Sequence, residues 1–231
     1  TSTKPTSEHI FKDFTTEVFD SKYCSDYKPL MQSLRKSEDV ALIANMGTGK
    51  TVAAAKHAIT LTGTAGILSF RISLAQKYKD DFKGFNCYKD VEQKTIDCPK
   101  WICQLDSLHR IKTPRVGTLY IDEVSQVRRH LSADTFIRNK NYLKNIDNLR
   151  SLILRSKQLV IMDANMTPRD LKWIIGIRNK VPKIYINEAT PRRQIIEIVR
   201  NEQEIIRLAR VDLAQGRKFI IAHNGGKKHH E

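Results

Sequence analysis

Asn45-Met46-Gly47-Thr48-Gly49-Lys50-Thr51 follows Ala44 in the spacing of a phosphate-binding loop, with Ala44 where that pattern has its first Gly. Gly47 and Gly49 let the backbone wrap closely around an anion, where a Cβ would collide. The N–H groups of Met46, Gly47, Thr48 and Gly49, with those of the helix start behind them, can point at the phosphates. Lys50 is placed to reach the β- and γ-phosphates, and the Thr51 hydroxyl to ligate Mg²⁺. Downstream, Leu119-Tyr120-Ile121-Asp122-Glu123 is an apolar stretch ending in two carboxylates. Asp122 suits the Mg²⁺ shell beside Thr51, and Glu123 suits orienting or deprotonating an attacking water. The expected cofactors are ATP and Mg²⁺. Lys50 and Glu123 are the expected catalytic residues, and Thr51 and Asp122 the metal ligands. The plain alternatives are a glycine turn without a ligand and an exposed acidic turn.

Such residues need a scaffold that brings distant strand ends together, and the chain is patterned for one. Strand patterns fall at Asp39–Ala44, Ala65–Phe70, Trp101–Leu105, Thr118–Asp122, Gln158–Asp163 and Lys183–Ile186. Helical patterns fall between them at Thr51–Leu61, Ile72–Phe82, Val124–His130, Tyr142–Ser156 and Arg169–Ile177. The strands are mostly continuous apolar runs, as expected when both faces are covered. Alternation of this kind predicts an α/β fold, a mostly parallel sheet with helices on both faces, here around a P-loop NTPase motif. Thr167 before Pro168 reads as a helix N-cap with Pro at the first helical position. After Glu188 the texture changes. Residues 189–193 read as a linker, Gln194–Val199 as a strand, Glu202–Gln215 as a helix and Lys218–Ala222 as a strand, together the start of a second, incomplete α/β lobe over 194–231. The first lobe is expected at 36–188, with residues 1–35 as a lead-in segment.

The 231 residues carry 40 Lys and Arg against 25 Asp and Glu, a net charge of +15. Such a field favours nucleic acid or an anionic surface as partner, with simple solvation as the alternative. Arg128-Arg129-His130 and the basic residues from Arg138 to Lys157 concentrate part of it. No apolar run approaches the ~18 residues a membrane span needs. The segment before Asp20 has no signal-peptide core, and the missing initiator Met suggests a piece of something longer. Cys24, Cys87, Cys98 and Cys103 read as reduced thiols of an intracellular protein; a zinc site from Cys87, Cys98, Cys103 and His109 is the alternative. Trp101 and Trp173 read as core rather than as base-stacking platforms.

Polar residues gather at the carboxyl ends of the other strands, where parallel sheets bind their ligands. They are Ser69, Arg71 and Ser73; Gln104, Ser107, His109 and Arg110; and Asp163 and Asn165. Singly, each fits a turn or a cap. With the loop and Asp122-Glu123-Val124, the Ser69-Phe70-Arg71, Ser107-Leu108-His109-Arg110 and Met162-Asp163-Ala164 segments resemble the superfamily 2 helicases, nearest to the origin-binding-protein type of herpesviruses and other large DNA viruses. The resemblance runs over residues 36–224 and implies a P-loop NTPase (RecA-like) fold for the first lobe and for the incomplete second one. It implies an ATP-dependent DNA helicase or translocase acting in replication, on single-stranded or forked DNA, with other replication proteins as partners and no membrane. The segments around Ser69 and Ser107 would line the strand, Asp163 with Asn165 would couple ATP state to strand movement, and Asn224 would open the second lobe's first motif. The second lobe's later motifs, with the arginines that complete the ATP site, are absent here, so this chain alone is expected to hydrolyse ATP poorly. An RNA helicase, a duplex translocase and a non-hydrolysing scaffold are the alternatives.

Overall fold

The computed structural model describes residues 10–190 and 202–215. Its strands are β1 (Thr16–Phe19), β2 (Val40–Ala44), β3 (Ala65–Ser69), β4 (Asn86–Cys87), β5 (Lys100–Gln104), β6 (Thr118–Asp122), β7 (Gln158–Asp163) and β8 (Lys183–Asn187). They form one sheet in the order β1-β8-β2-β7-β6-β3-β5-β4, with every pairing parallel. β2, β3, β6 and β7 are buried at every residue, so both faces are covered. This is the expected RecA-like α/β architecture.

The helices are α1 (Lys28–Arg35), α2 (Lys50–Ile59), α3 (Ile72–Asp81), α4 (Val124–His130), α5 (Asp134–Ile137), α6 (Tyr142–Arg155), α7 (Pro168–Arg178) and α8 (Glu202–Ala214). From β2 the chain moves outward to β3 and β5, then returns through β6 and β7 to β8. Right-handed crossovers put helices on opposite faces for the two directions of travel. Accordingly α2 packs on α1 and α3, while α7 packs on α4 and α6. α7 opens with a full capping box: Thr167 caps Asp170, whose side chain returns to the Thr167 N–H, and Pro168 occupies the first turn.

Residues before 36 are not only a lead-in. β1 joins the sheet on β8, and Tyr27 holds it there by stacking on Phe19 at 4.0 Å and donating to Glu17 Oε1 at 2.7 Å. The stretch Thr-Glu-Val-Phe is too short and too mixed to announce a strand by periodicity. Trp101 is buried across Gly66, where a Cβ would come within 2.3 Å of the indole. The close approach explains a glycine inside β3 and makes Trp101 a core residue. The chain divides into two compact units at Pro191 and Arg192. α8 belongs to the second; the strand candidates Gln194–Val199 and Lys218–Ala222, and Asn224, lie outside the described residues.

On the buried face of α2, His57 has its Nδ1 2.7 Å from the Tyr120 hydroxyl. Burial, then the nearby Arg35 charge, lowers its pKa to about 4. The unfolded chain takes up this proton near pH ~6.5, but the folded chain does not until pH about 4. Stability should therefore fall with acidification across that window, by up to ~1.4 kcal/mol per pH unit from this group. Urea unfolding at pH 7, 6 and 5 checks this. His57→Gln should flatten the slope, and an unchanged slope in that variant would refute the assignment.

A nucleotide-type site at the carboxyl ends of the strands

β2 delivers Ala44 to the loop and α2 begins at Lys50, so the loop is a tight strand-to-helix turn. Gly47 and Gly49 sit at φ 81° and 75°, the left-handed region that favours glycine. A Cβ at Gly47 would meet no protein atom, and one at Gly49 would make ordinary contact with Tyr23. Within the protein the glycines are thus required by conformation rather than by crowding. Thr48 is buried and its hydroxyl donates to Asn45 O at 2.7 Å, which pins the turn. The Cys24 N–H donates to Thr48 O at 2.8 Å, and Asn45 Nδ2 to Ala189 O at 2.9 Å. The loop is therefore clamped from both ends of the first unit, by the 3-10 turn Cys24–Asp26 and by the segment after β8.

Lys50 folds back on the loop: Nζ donates to Ala44 O at 2.6 Å and to Asn45 O at 3.1 Å. Burial lowers its pKa, and the Asp122 carboxylate opposes that shift. Met46 stands out from the loop at 77% exposure, so its side chain meets little of the protein, while its backbone remains part of the turn.

β6 lies two places from β2, with β7 between them, and its end brings Asp122 to α2. The Thr51 hydroxyl donates to Asp122 Oδ2 at 3.4 Å. The Tyr78 hydroxyl, from α3, donates to the same oxygen at 2.5 Å, and the Glu123 N–H donates to Oδ1 at 3.0 Å. Burial raises the Asp122 pKa, while Tyr78 and Lys50 pull it down. Glu123 adopts φ 54°, a left-handed conformation costing a non-glycine residue ~1–3 kcal/mol. It sits at the N-terminus of α4 with its pKa raised by burial and by Asp122, and Arg71 opposes that rise.

β7 ends between these two strands. Asp163 is buried there, with Oδ2 accepting from the Ser125 N–H and hydroxyl and Oδ1 from the Asn165 N–H at 2.7 Å. It therefore ties the first turn of α4, just past Glu123, to the exit of β7. Asn165 itself is exposed.

The remaining polar strand ends share this edge but differ in freedom. Ser69 is buried, and its hydroxyl donates to Arg71 O at 2.9 Å and accepts from the Arg71 N–H at 3.2 Å. It shapes the turn and offers no free surface. Arg71 and Ser73 are exposed, with the Arg71 guanidinium 4.9 Å from the Phe70 ring centre. Gln104 accepts from Tyr88 at 2.9 Å and donates to Asp106 at 3.2 Å. Ser107 is half-buried in the 3-10 turn Leu105–Arg110. His109 Nδ1 faces Asn145 Oδ1 at 3.1 Å and its Nε2 faces Asn141 Nδ2 at 3.2 Å. Arg110 spends its fork on the carbonyls of Tyr88 at 2.8 Å and of Val91 and Gln93 at 2.7 Å. A cleft of about 490 Å³ opens beside it, lined by Glu92, Gln93, Lys94, His109, Arg110, Lys140 and Asn141.

The zinc alternative is not supported. His109 is occupied by two asparagines, the four cysteines are free thiols, and no group of three or more His, Cys, Asp or Glu among the described residues is arranged to hold a metal. No helix among them is long and apolar enough to cross a membrane.

The family model described as "Origin of replication binding protein" matches residues 15–186. The chain belongs to that family. The replication origin-binding protein of human herpesvirus 7 (strain JI) is 30% identical over 139 residues, which span 56% of this chain and 17% of that protein. That of varicella-zoster virus (strain Dumas) is 31% identical over 147 residues, 58% of this chain and 17% of that protein. The match thus spans about a sixth of the curated relatives' length. Among solved structures, the Pyrococcus furiosus Hef helicase domain superposes with TM-score 0.49 at 15% identity, covering 71% of this chain and 38% of that one. A hypothetical ATP-dependent RNA helicase from Sulfolobus tokodaii gives 0.48 at 11% identity, covering 78% and 56%.

In this member of the origin-binding-protein family, pattern reading missed three contributors to the site. Tyr78 lies on the buried face of α3 and reads as core; the signal was its hydroxyl, which needs a partner when buried. Ser125 and Cys24 act through groups distant in sequence, and no local pattern marks them.

Proposed function

We propose that this chain is the ATP-binding first lobe of a superfamily 2 DNA helicase or translocase that works in replication. One observation carries the reading: Thr51 and Asp122, 71 positions apart, converge to 3.4 Å beside a two-glycine turn and a lysine. A hard divalent cation takes oxygen ligands of this kind, one or two carboxylates with the rest from phosphates and water. A Mg²⁺ ion held by Thr51 and Asp122 would neutralise charge on the β- and γ-phosphates. Lys50, now on the carbonyls of Ala44 and Asn45, would hold the phosphates, and the loop N–H groups would orient them. Glu123, with its raised pKa, positions and deprotonates the attacking water. Asp163 links α4 to β7, a route by which nucleotide state reaches the strand ends.

For nucleic acid, the exposed pair Arg71 and Ser73 and the cleft rimmed by Lys94, Lys140 and His109 favour a track along the sheet's carboxyl edge. Ser69 and Arg110 serve that track by shaping its walls. Two conformations of the lobe that grip the strand differently would convert hydrolysis into steps.

The test is ATP hydrolysis by the full-length protein alone and with single-stranded DNA, duplex DNA or RNA. Single-stranded DNA should stimulate most, and Lys94→Ala with Lys140→Ala should weaken that stimulation. Strongest stimulation by RNA or by duplex would reassign the substrate. ATP binding without hydrolysis under every condition would leave a scaffold with a switch site.

A further inference from the structure

We infer that Tyr78 is a positioning residue that fixes the Asp122 carboxylate for the divalent ion. The inference rests on the reading of Asp122 as a metal ligand. Tyr78 is 2% exposed, and its ring packs edge-on against Phe82 with centroids 5.9 Å apart. A phenylalanine would fill that space equally well. What the tyrosine adds is one hydrogen bond, and it goes to the buried strand-end carboxylate at 2.5 Å, within the range of charge-assisted O–H···O⁻ bonds.

The carboxylate is then held at both oxygens. Oδ1 accepts from the Glu123 N–H at 3.0 Å, and Oδ2 accepts from Tyr78 while facing Thr51 Oγ1 at 3.4 Å. Rotation about the terminal torsion, which is soft in a free aspartate, would break one of these bonds. Burial favours the neutral acid at Asp122, and the Tyr78 hydrogen bond opposes that by stabilising the anion a cation needs. Burial also keeps the phenol protonated, so it stays the donor. Partners that orient metal-binding carboxylates change metal affinity or activity by ~10–100-fold when removed.

The experiment measures ATP hydrolysis by the full-length protein against free Mg²⁺, for the parent, Tyr78→Phe and Asp122→Asn. Tyr78→Phe should raise the Mg²⁺ needed for half-maximal rate by ~10-fold, with the rate recovering at saturating Mg²⁺. A lower rate at every Mg²⁺ concentration with unchanged half-saturation would make Tyr78 structural and overturn the inference. A second readout is Mn²⁺ bound per bound ATP, by paramagnetic resonance, which counts only folded protein. Weaker Mn²⁺ binding in Tyr78→Phe supports the inference, and parental binding overturns it. If Asp122→Asn hydrolyses ATP with parental Mg²⁺ dependence, the metal-ligand reading itself fails, an outcome distinct from failure at Tyr78 alone.

Discussion

Lys50→Ala is expected to abolish ATP turnover by the full-length protein while leaving the fold as stable as before, or more so. Removing a preorganised charge from a site of this kind costs ~10²–10³-fold in kcat. Here the lysine is the one cation that the loop itself supplies to the phosphates. The stability side follows from the geometry. Lys50 holds its ammonium half-buried against two backbone carbonyls, and burial lowers its pKa. At neutral pH the unfolded chain carries this charge in water at no such cost, so a lowered pKa means the fold is strained by it. Alanine at the first position of α2 relieves that strain and suits the helix. Activity and stability should therefore move in opposite directions, as at sites kept for function. The measurement is single-turnover hydrolysis with thermal melts of the same preparations. Parental turnover in the variant would remove Lys50 from the mechanism. A collapsed melting temperature would show instead that the loop needs its lysine as a strut.

Much of this was legible in the sequence because it depended on local chemistry. The loop, the six main strands and the carboxylate pair each carry a short-range signature: glycines at positive φ, unbroken apolar runs, acids at a strand end. What was not legible depended on partners distant in the chain. β4 is two residues long, and β1 is a strand only because Tyr27 and β8 hold it. The charge of +15 also overstated the positive surface free for nucleic acid. Arg128 is paired with buried Asp170, Arg178 with buried Asp39, and Arg110 is spent on loop carbonyls. Composition counts such cations as available, and only the fold shows which are already used. Ser69 is buried and Arg110 holds loop carbonyls, while Lys94 and Lys140, which no motif marks, line the open cleft beside Arg110.

Arg178→Ala is expected to give the largest loss of stability, at the end of β2 away from the loop. Asp39, just before β2, is buried and takes Arg178 NH2 at 3.0 Å on Oδ1 and Arg178 Nε at 3.0 Å on Oδ2. The same guanidinium donates to the carbonyls of Ile153, Ser156 and Lys157, and Asp39 Oδ1 also accepts the Leu159 N–H at 2.8 Å. One ion pair thus joins β2, β7 and the ends of α6 and α7. Truncating the arginine takes its donors from several carbonyls and leaves a buried carboxylate with only the Leu159 N–H and Lys180, which reaches Oδ2 at 3.3 Å from an exposed position. Breaking such a pair from one side costs ~3–5 kcal/mol. Set against a total of ~5–15 kcal/mol for a domain, that is a large fraction. In thermal melts it should appear as a fall of roughly 10 °C for a unit of this size. Asp39→Asn should cost less, because the asparagine oxygen can still accept from Leu159 and the arginine keeps its carbonyls. The double variant should be less destabilised than the sum of the two, since each partner is harmful mainly when left alone. Additive losses would mean that the two residues act separately. Because this pair lies at the far end of the strand from Lys50, the fraction that stays folded at low temperature should bind nucleotide as the parent does, which separates the frame's contribution from that of the site it holds.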